Sequence, residues 1–473
     1  MIIVFSIAAN ELRRLIRDKV VLALSLLVIG LLSVSTLTGW QYHQQISTQH
    51  EEAAQLARAQ WEQQGEKNPH SAAHYGTFAF KPVSLLGIFE PGVERYTGVS
   101  VYLEAHQQNF ASYSPAEDQH ASLRFAELTP AFIFAYLFPL FIIFIGFRSI
   151  TGEKESGMYR FMRGQGITLR DLIFGKALGL WAITLLLYLP FLLLGLLLIL
   201  IAASDADTLL RFALMSTIWL LYFGVMVHLS IAVSALAKSS GAAMVTLLAL
   251  WILSTLLMPR LATNLAADAH PVPSTTEVRQ AIARDLSEGI DGHNPYSEHS
   301  VAFRDSVLQA HGAESIDDLP FNFRGLMLQE SEEFEKQIYD YHLARIGDIH
   351  QSQIGVFYVS ALFSPTMAAR MASMSAAGTD MHNFNHFLDA AEAYRIELMR
   401  ELNMDLKINA IGERAAGYSA GEDFFAQNVA FNYEPPEEIM HAPGQGRAVL
   451  LNGIWFAASL GFLFLIGARK KDA

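Results

Sequence analysis

Six apolar runs govern what this chain can become. They cover Val20–Thr38, Pro130–Phe147, Ala177–Ala202, Phe212–Ala237, Ala242–Met258 and Val449–Gly467. None holds an internal Asp, Glu, Lys or Arg, and His228 is the one strongly ionisable group inside them. About 20 such residues in helical form cross the roughly 30 Å of a bilayer's hydrocarbon. The chain of 473 residues is 52% hydrophobic and only 17% charged, against about a quarter charged in soluble domains. The expected fold class is therefore an all-α membrane protein. It has six transmembrane helices and two large, mainly helical extracytoplasmic insertions. A net charge of −13 argues against a nucleic-acid partner. The absence of cysteine excludes disulfides, cysteine nucleophiles and thiolate metal sites.

Basic residues set the orientation. With the N-terminus inside, the short loops and termini hold fourteen Lys and Arg against six Asp and Glu, leaving nineteen against forty outside. Both termini are thus expected in the cytoplasm of a bacterial inner membrane. Residues 1–19 form an amphipathic connecting helix, 148–176 a cytoplasmic loop and 468–473 a basic tail. Residues 39–129 and 259–448 form the two extracytoplasmic domains. The apolar run after Arg13, Arg14, Arg17 and Lys19 is long and lacks an A-x-A site, so it reads as an uncleaved anchor.

The first outer segment opens with a polar helical stretch, Tyr42 to Glu66, and Tyr96–Leu103 alternates as a short strand would. In the second, helices are expected at Thr276–Ser287, Ser300–His311, Asn322–Gln351, Ser364–Ala376 and Asn383–Ile408. Phe357–Phe363 is apolar but too short to span; it fits either the membrane face or a buried element.

The loop from Gly146 to Lys176 is the most informative stretch. It reads as a short charged helix with apolar Met158, Tyr159, Phe161 and Met162. Such residues on a small loop serve either as a docking surface for another protein or as packing on the chain's own spans.

The run E-K-E-S-G followed by a helix and then R-D-L-I-F-G-K resembles the coupling region of ABC exporter permeases of the second type. Glu153, Glu155 and Gly157 match that pattern, as do Arg170, Gly175 and Lys176 at the start of the next helix. Met158 stands where the family usually has Thr, and Gly164-Gln165-Gly166-Ile167-Thr168 replaces its Pro-containing turn. The segments P-V-S-L-L-G-I-F-E-P-G-V-E-R-Y-T-G and S-P-T-M-A-A-R-M-A-S are similar to a subgroup carrying a large extracytoplasmic domain of unknown function.

The resemblance implies a non-catalytic permease subunit that exports an unidentified substrate. The ATPase is then a separate subunit, which docks on Glu153, Glu155, Gly157, Met158, Tyr159, Arg160, Phe161 and Arg163. ATP and Mg2+ belong to that partner, and this chain binds no cofactor. A second permease copy or a paralogue completes the pathway, and the resemblance leaves room for a periplasmic partner. The chain agrees in lacking a G-x-x-x-x-G-K-[ST] loop. Pro139 and Pro190 permit bending of the second and third spans. A different class of function, mechanotransmission, would move the outer domains without passing cargo.

Other motifs weigh less. Gly417-Tyr418-Ser419-Ala420-Gly421 matches G-x-S-x-G, but the nucleophile elbow needs a strand before it, and a helical stretch precedes it here. His70 and His74, and His382 and His386, are each spaced to share a helix face. Together with Met374 and Met381, the second pair offers soft ligands suited to Cu(I). Methionine at such spacing ordinarily packs a core, so no metal site is assigned from the sequence.

Overall fold

The computed structural model describes residues 2–114, 128–202, 205–289, 292–415, 417–436 and 445–468. The basic tail beyond Ala468 lies outside the described residues. Among the described residues, six helices are long and apolar enough to cross a membrane, and the chain is an all-α membrane protein with an additional, mainly helical head.

Helix α1 (Ile2–Arg17) buries Ala8, Glu11 and Leu15 and exposes Ile2, Ile3, Phe5 and Ile16. A helix with one apolar exposed side suits a membrane interface. Asp18 then caps α2 (Lys19–Glu62) by accepting from the Val20 and Val21 amides at 2.9 and 3.3 Å. Helix α2 runs 44 residues without a break. The first span and the polar stretch after it are thus one helix, of which roughly 30 Å suffices for a bilayer and the rest rises into the head.

There α3 (Pro69–Tyr75) leads into strands β1 (Thr77–Phe80), β2 (Ser100–Glu104) and β3 (Gln107–Gln108). They form an antiparallel sheet in that order, with Thr77 opposite Leu103 and Leu103 opposite Gln108. The strand expected from Tyr96 starts only at Ser100, because residues 91–97 are taken up by turns.

The second span, α4 (Pro130–Glu155), carries one turn of π-helix at Ile133–Leu137. Pro139 causes it: proline has no N–H and its ring crowds the carbonyl four residues back, that of Ala135. That carbonyl accepts instead from the Tyr222 hydroxyl at 3.3 Å. After α5 (Met158–Gly164) come the spans α6 (Leu169–Ala202), α7 (Ala206–Leu236) and α8 (Ser240–Ala269). Pro259 marks a second π turn at Leu253–Leu257 in α8. Helices α4 and α7 are central; Phe134, Phe138, Trp219, Tyr222 and Phe223 fill the space between them.

Helices α9 (Thr275–Ser287), α10 (Glu298–His311), α11 (Phe323–Ala361), α12 (Pro365–Ala377), α13 (Met381–Asn409) and α14 (Glu422–Gln427) follow, before the last span α15 (Gln445–Ala468). The expected helices are present; α11 runs ten residues past its expected end and absorbs most of Phe357–Phe363. Residues 39–114 and the segment after α8 share cores. Trp61, Ala72 and Ala73 of the first pack with Leu398, Leu402 and Phe425 of the second. Ala79, Val101 and Leu103 pack with Phe384 and Phe387.

Helix α12 does not belong to the head's own core. It wedges between spans, with Ala369, Ala372, Ala376 and Ala377 in the span core. Small residues allow that close approach. Several polar groups at its start and along one side meet span partners. Trp219 Nε1 donates to Ser373 Oγ at 3.0 Å. Thr366 Oγ1 lies 2.9 Å from Tyr222 OH and 3.0 Å from Thr255 Oγ1. Ser364 donates to the Ser254 carbonyl inside the π turn of α8 at 2.5 Å. Both irregular turns in the spans therefore face this wedge.

Candidate functional site

At the end opposite the head, α4 breaks near Phe147. The freed backbone groups are satisfied by one serine: Ser234 Oγ accepts from the Ile150 and Thr151 amides at 3.0 and 3.2 Å and donates to the Phe147 carbonyl at 2.8 Å. Ser240 Oγ adds a 3.0 Å bond to Thr151. Gly157 then turns the chain at φ +77°, a conformation that favours glycine, and α5 begins.

Helix α5 divides by face. Tyr159 and Met162, three residues apart, pack against the span core. Met158 and Phe161 point outward, 46% and 61% exposed, flanked by exposed Arg160 and Arg163. The packing alternative describes Tyr159 and Met162, while Met158 and Phe161 are left on the surface. Gly166 closes the loop at φ +87°. Thr168 and Asp171 cap α6 reciprocally, the Asp171 amide donating to Thr168 Oγ1 at 3.1 Å and the Thr168 amide to Asp171 Oδ2 at 3.0 Å.

Glu153 and Glu155 are each engaged by groups of this chain, Glu153 half-buried and Glu155 at the surface. Glu155 accepts from the Ser240 amide at 2.6 Å and its hydroxyl at 2.8 Å, capping α8. Glu153 accepts from Lys176 Nζ at 2.6 Å. The same ammonium reaches Glu11 of α1 at 2.8 Å, and Glu11 also binds Arg14 at 2.6 Å. Lys154 donates to the Ala235 carbonyl at 2.5 Å, at the end of α7. The reason is electrostatic: carboxylates this close to helix ends and a buried ammonium are held where they neutralise them. Burial raises the pKa of Glu11, but Arg14 and Lys176 outweigh it and hold the carboxyl below its usual range.

Gly175 lies where α1 crosses α6. A Cβ there would sit 2.6 Å from Ile7 Cβ and 3.1 Å from the Val4 carbonyl; at Gly179 it would sit 2.7 Å from Glu11 Cβ. The glycines four residues apart make the groove that α1 occupies. Arg170 sits beside Gly467 and over the Phe464 ring of the last span. The 148–176 loop is thereby fixed to α1, α7, α8 and α15 at once.

The other sequence candidates fall elsewhere. His228 lies 2.9 Å from Ser459 Oγ and accepts from Trp181 Nε1 at 3.4 Å, joining three spans. Ser419 sits in a loop whose neighbour Ala420 pairs with Lys67, with no strand-to-helix turn. His386 contacts the Tyr433 hydroxyl at 3.1 Å, and Met381 packs against the head core. His70 and His74 do share a face, and the fold brings His106 and His293 to them. Sequence reasoning missed those two because each lies outside a helix and far away in the chain.

The family model described as ABC-2 family transporter protein matches residues 5–295, and a domain of unknown function (DUF3526) matches residues 275–434. No curated protein matches the chain. The first match takes in α1, the 148–176 loop and five spans, and on that extent the chain belongs to the ABC-2 family of transporter membrane proteins.

Proposed function

We propose that this chain is the permease subunit of an ATP-driven exporter and that the end bearing α1 and α5 faces the cytoplasm, with the head outside. The observation that carries this is the divided helix α5. Two large apolar side chains, Met158 and Phe161, are presented to solvent on an element anchored by Tyr159, Met162 and the Glu153–Lys176–Glu11 cluster. An apolar knob on a fixed base suits a cleft in a partner protein, here the ATPase that supplies ATP and Mg2+. The basic surplus of the same loops suits the cytoplasmic side.

Movement of α5 would pass along α4 and α6 and, through α7 and α8, to the wedge α12. That route also favours mechanotransmission as the second reading. The span core of one subunit is filled by aromatic side chains, while α12 links span movement to the head directly. Cargo passage would need a path between two permease copies.

The test is co-expression with candidate ABC ATPases of the same organism, purification through this subunit, and measurement of ATP hydrolysis. Retention of the ATPase by the native chain and its loss with Met158→Ala/Phe161→Ala supports the proposal. Vesicle transport assays with the same complex then separate export from mechanotransmission.

A further inference from the structure

Four histidines from three parts of the chain meet in the head. Asn68 caps α3 and Pro69 starts it, placing His70 and His74 one turn apart. His106 sits in the turn between β2 and β3 at φ +64°, in the left-handed region that only a few percent of non-glycine residues adopt. The Glu332 carboxylate holds it there by accepting from its amide at 2.8 Å. His293 follows Gly292, whose amide donates to Ser331 Oγ at 3.1 Å.

The Nε2 atoms of His70, His74 and His293 form a near-equilateral triangle, with edges of 3.1, 3.1 and 3.3 Å. Hydrogen bonding cannot satisfy that triangle. Each neutral Nε2 either carries a proton or offers a lone pair. Among three such atoms, two must be alike, so at least one edge joins two donors or two acceptors. A central cation removes the conflict by accepting a lone pair from each. Four nitrogens at 2.0–2.1 Å around zinc give tetrahedral edges of about 3.3–3.4 Å, close to those observed.

His106 supplies the fourth nitrogen. Ligand atoms of all four histidines lie within 4.8 Å of one another. His106 Nε2 is buried without a hydrogen-bond partner among the described residues. Its Nδ1 lies 3.2 Å from Glu335 and 3.3 Å from Glu332. A carboxylate behind a ligating imidazole is the usual support of a metal-bound histidine. Glu332 is in turn held by Arg395 at 2.9 Å, and Arg395 by both oxygens of Glu392 at 2.9 Å.

We infer that His70, His74, His106 and His293 form a tetrahedral site for Zn2+ in the head, backed by Glu332 and Glu335. Its ligands come from both outer segments, so the ion ties them together. His74 and His293 are exposed, which gives the ion access from solvent.

The test uses the full-length chain in detergent, purified through a tag without histidines. Stripped protein is titrated with Zn2+, and Mg2+ serves as a control. One Zn2+ per chain is expected, with a concentration-dependent rise in melting temperature. His70→Ala/His293→Ala should abolish binding. Glu335→Gln should weaken it about 10–100-fold, while His382→Ala/His386→Ala should leave it unchanged. The inference is overturned if the native chain binds no Zn2+ at one per chain, or if folded His70→Ala/His293→Ala protein binds it as tightly as native. Either result leaves the permease reading untouched, because that is read from ATPase retention.

Discussion

Lys176 Nζ lies 2.8 Å from Glu11 Oε2, joining the third span to the helix that precedes the first. Both side chains are almost wholly buried, and Glu153 approaches the same ammonium from the 148–176 loop. One cation therefore ties together α1, the 148–176 loop and α6. Removing one partner of a buried ion pair costs about 3–5 kcal/mol, because the remaining charge is left uncompensated. Lys176→Met is expected to lower the melting temperature sharply in detergent. Lys176→Met combined with Glu11→Gln should recover much of that loss. Equal losses in single and double variants would show that the ammonium acts through packing alone.

Acid should loosen the same contact. Glu11 has a lowered pKa in the folded chain, the net result of burial opposed by Arg14 and Lys176. A carboxyl whose folded pKa is depressed contributes stability above its unfolded value and loses it as pH falls through the folded value. Amide exchange in α1, corrected for its intrinsic pH dependence, should rise only below the ordinary carboxylate range. Glu11→Gln should remove that pH dependence. A step near neutral pH would assign the effect to another group.

Gly175 tests the packing of α1 independently of charge. Gly175→Val would drive side-chain atoms into Ile7 and the Val4 carbonyl. Overpacking of this kind costs about 1–3 kcal/mol. Proteolysis within the first 17 residues should accelerate, whereas Gly453→Val, in open space on the last span, should change nothing.

The wedge can be locked because the chain has no native cysteine. Thr255 and Thr366 hydroxyls are 3.0 Å apart. A Thr255→Cys/Thr366→Cys pair should form a disulfide on oxidation, and oxidation should suppress coupled ATP hydrolysis reversibly. Full activity of the oxidised pair would show that α12 does not move against α8 during turnover.

The spans were legible because a bilayer tolerates few alternatives: a charge-free run of about 20 residues has to be a helix. The position of α12 was not. Its Ala, Ser and Met residues suit an outer helix as well as a span wedge, and only Trp219, Tyr222 and Thr255 decide between them. In the 148–176 loop the sequence singled out α5 but not how its faces divide. No local spacing pairs Glu153 with Lys176 or Glu155 with Ser240. Half of the histidine cluster was visible as an i, i+4 pair; His106 and His293 arrive through tertiary contacts, which no local spacing records.

The central claim is that α5 meets an ATPase through its exposed face. The most direct measurement places a photo-reactive amino acid at position 161, and separately at position 153, in the co-expressed complex. Crosslinking of the ATPase from position 161 and not from position 153 is predicted. Crosslinking from position 153 alone, or from neither while the ATPase still co-purifies, would contradict the account.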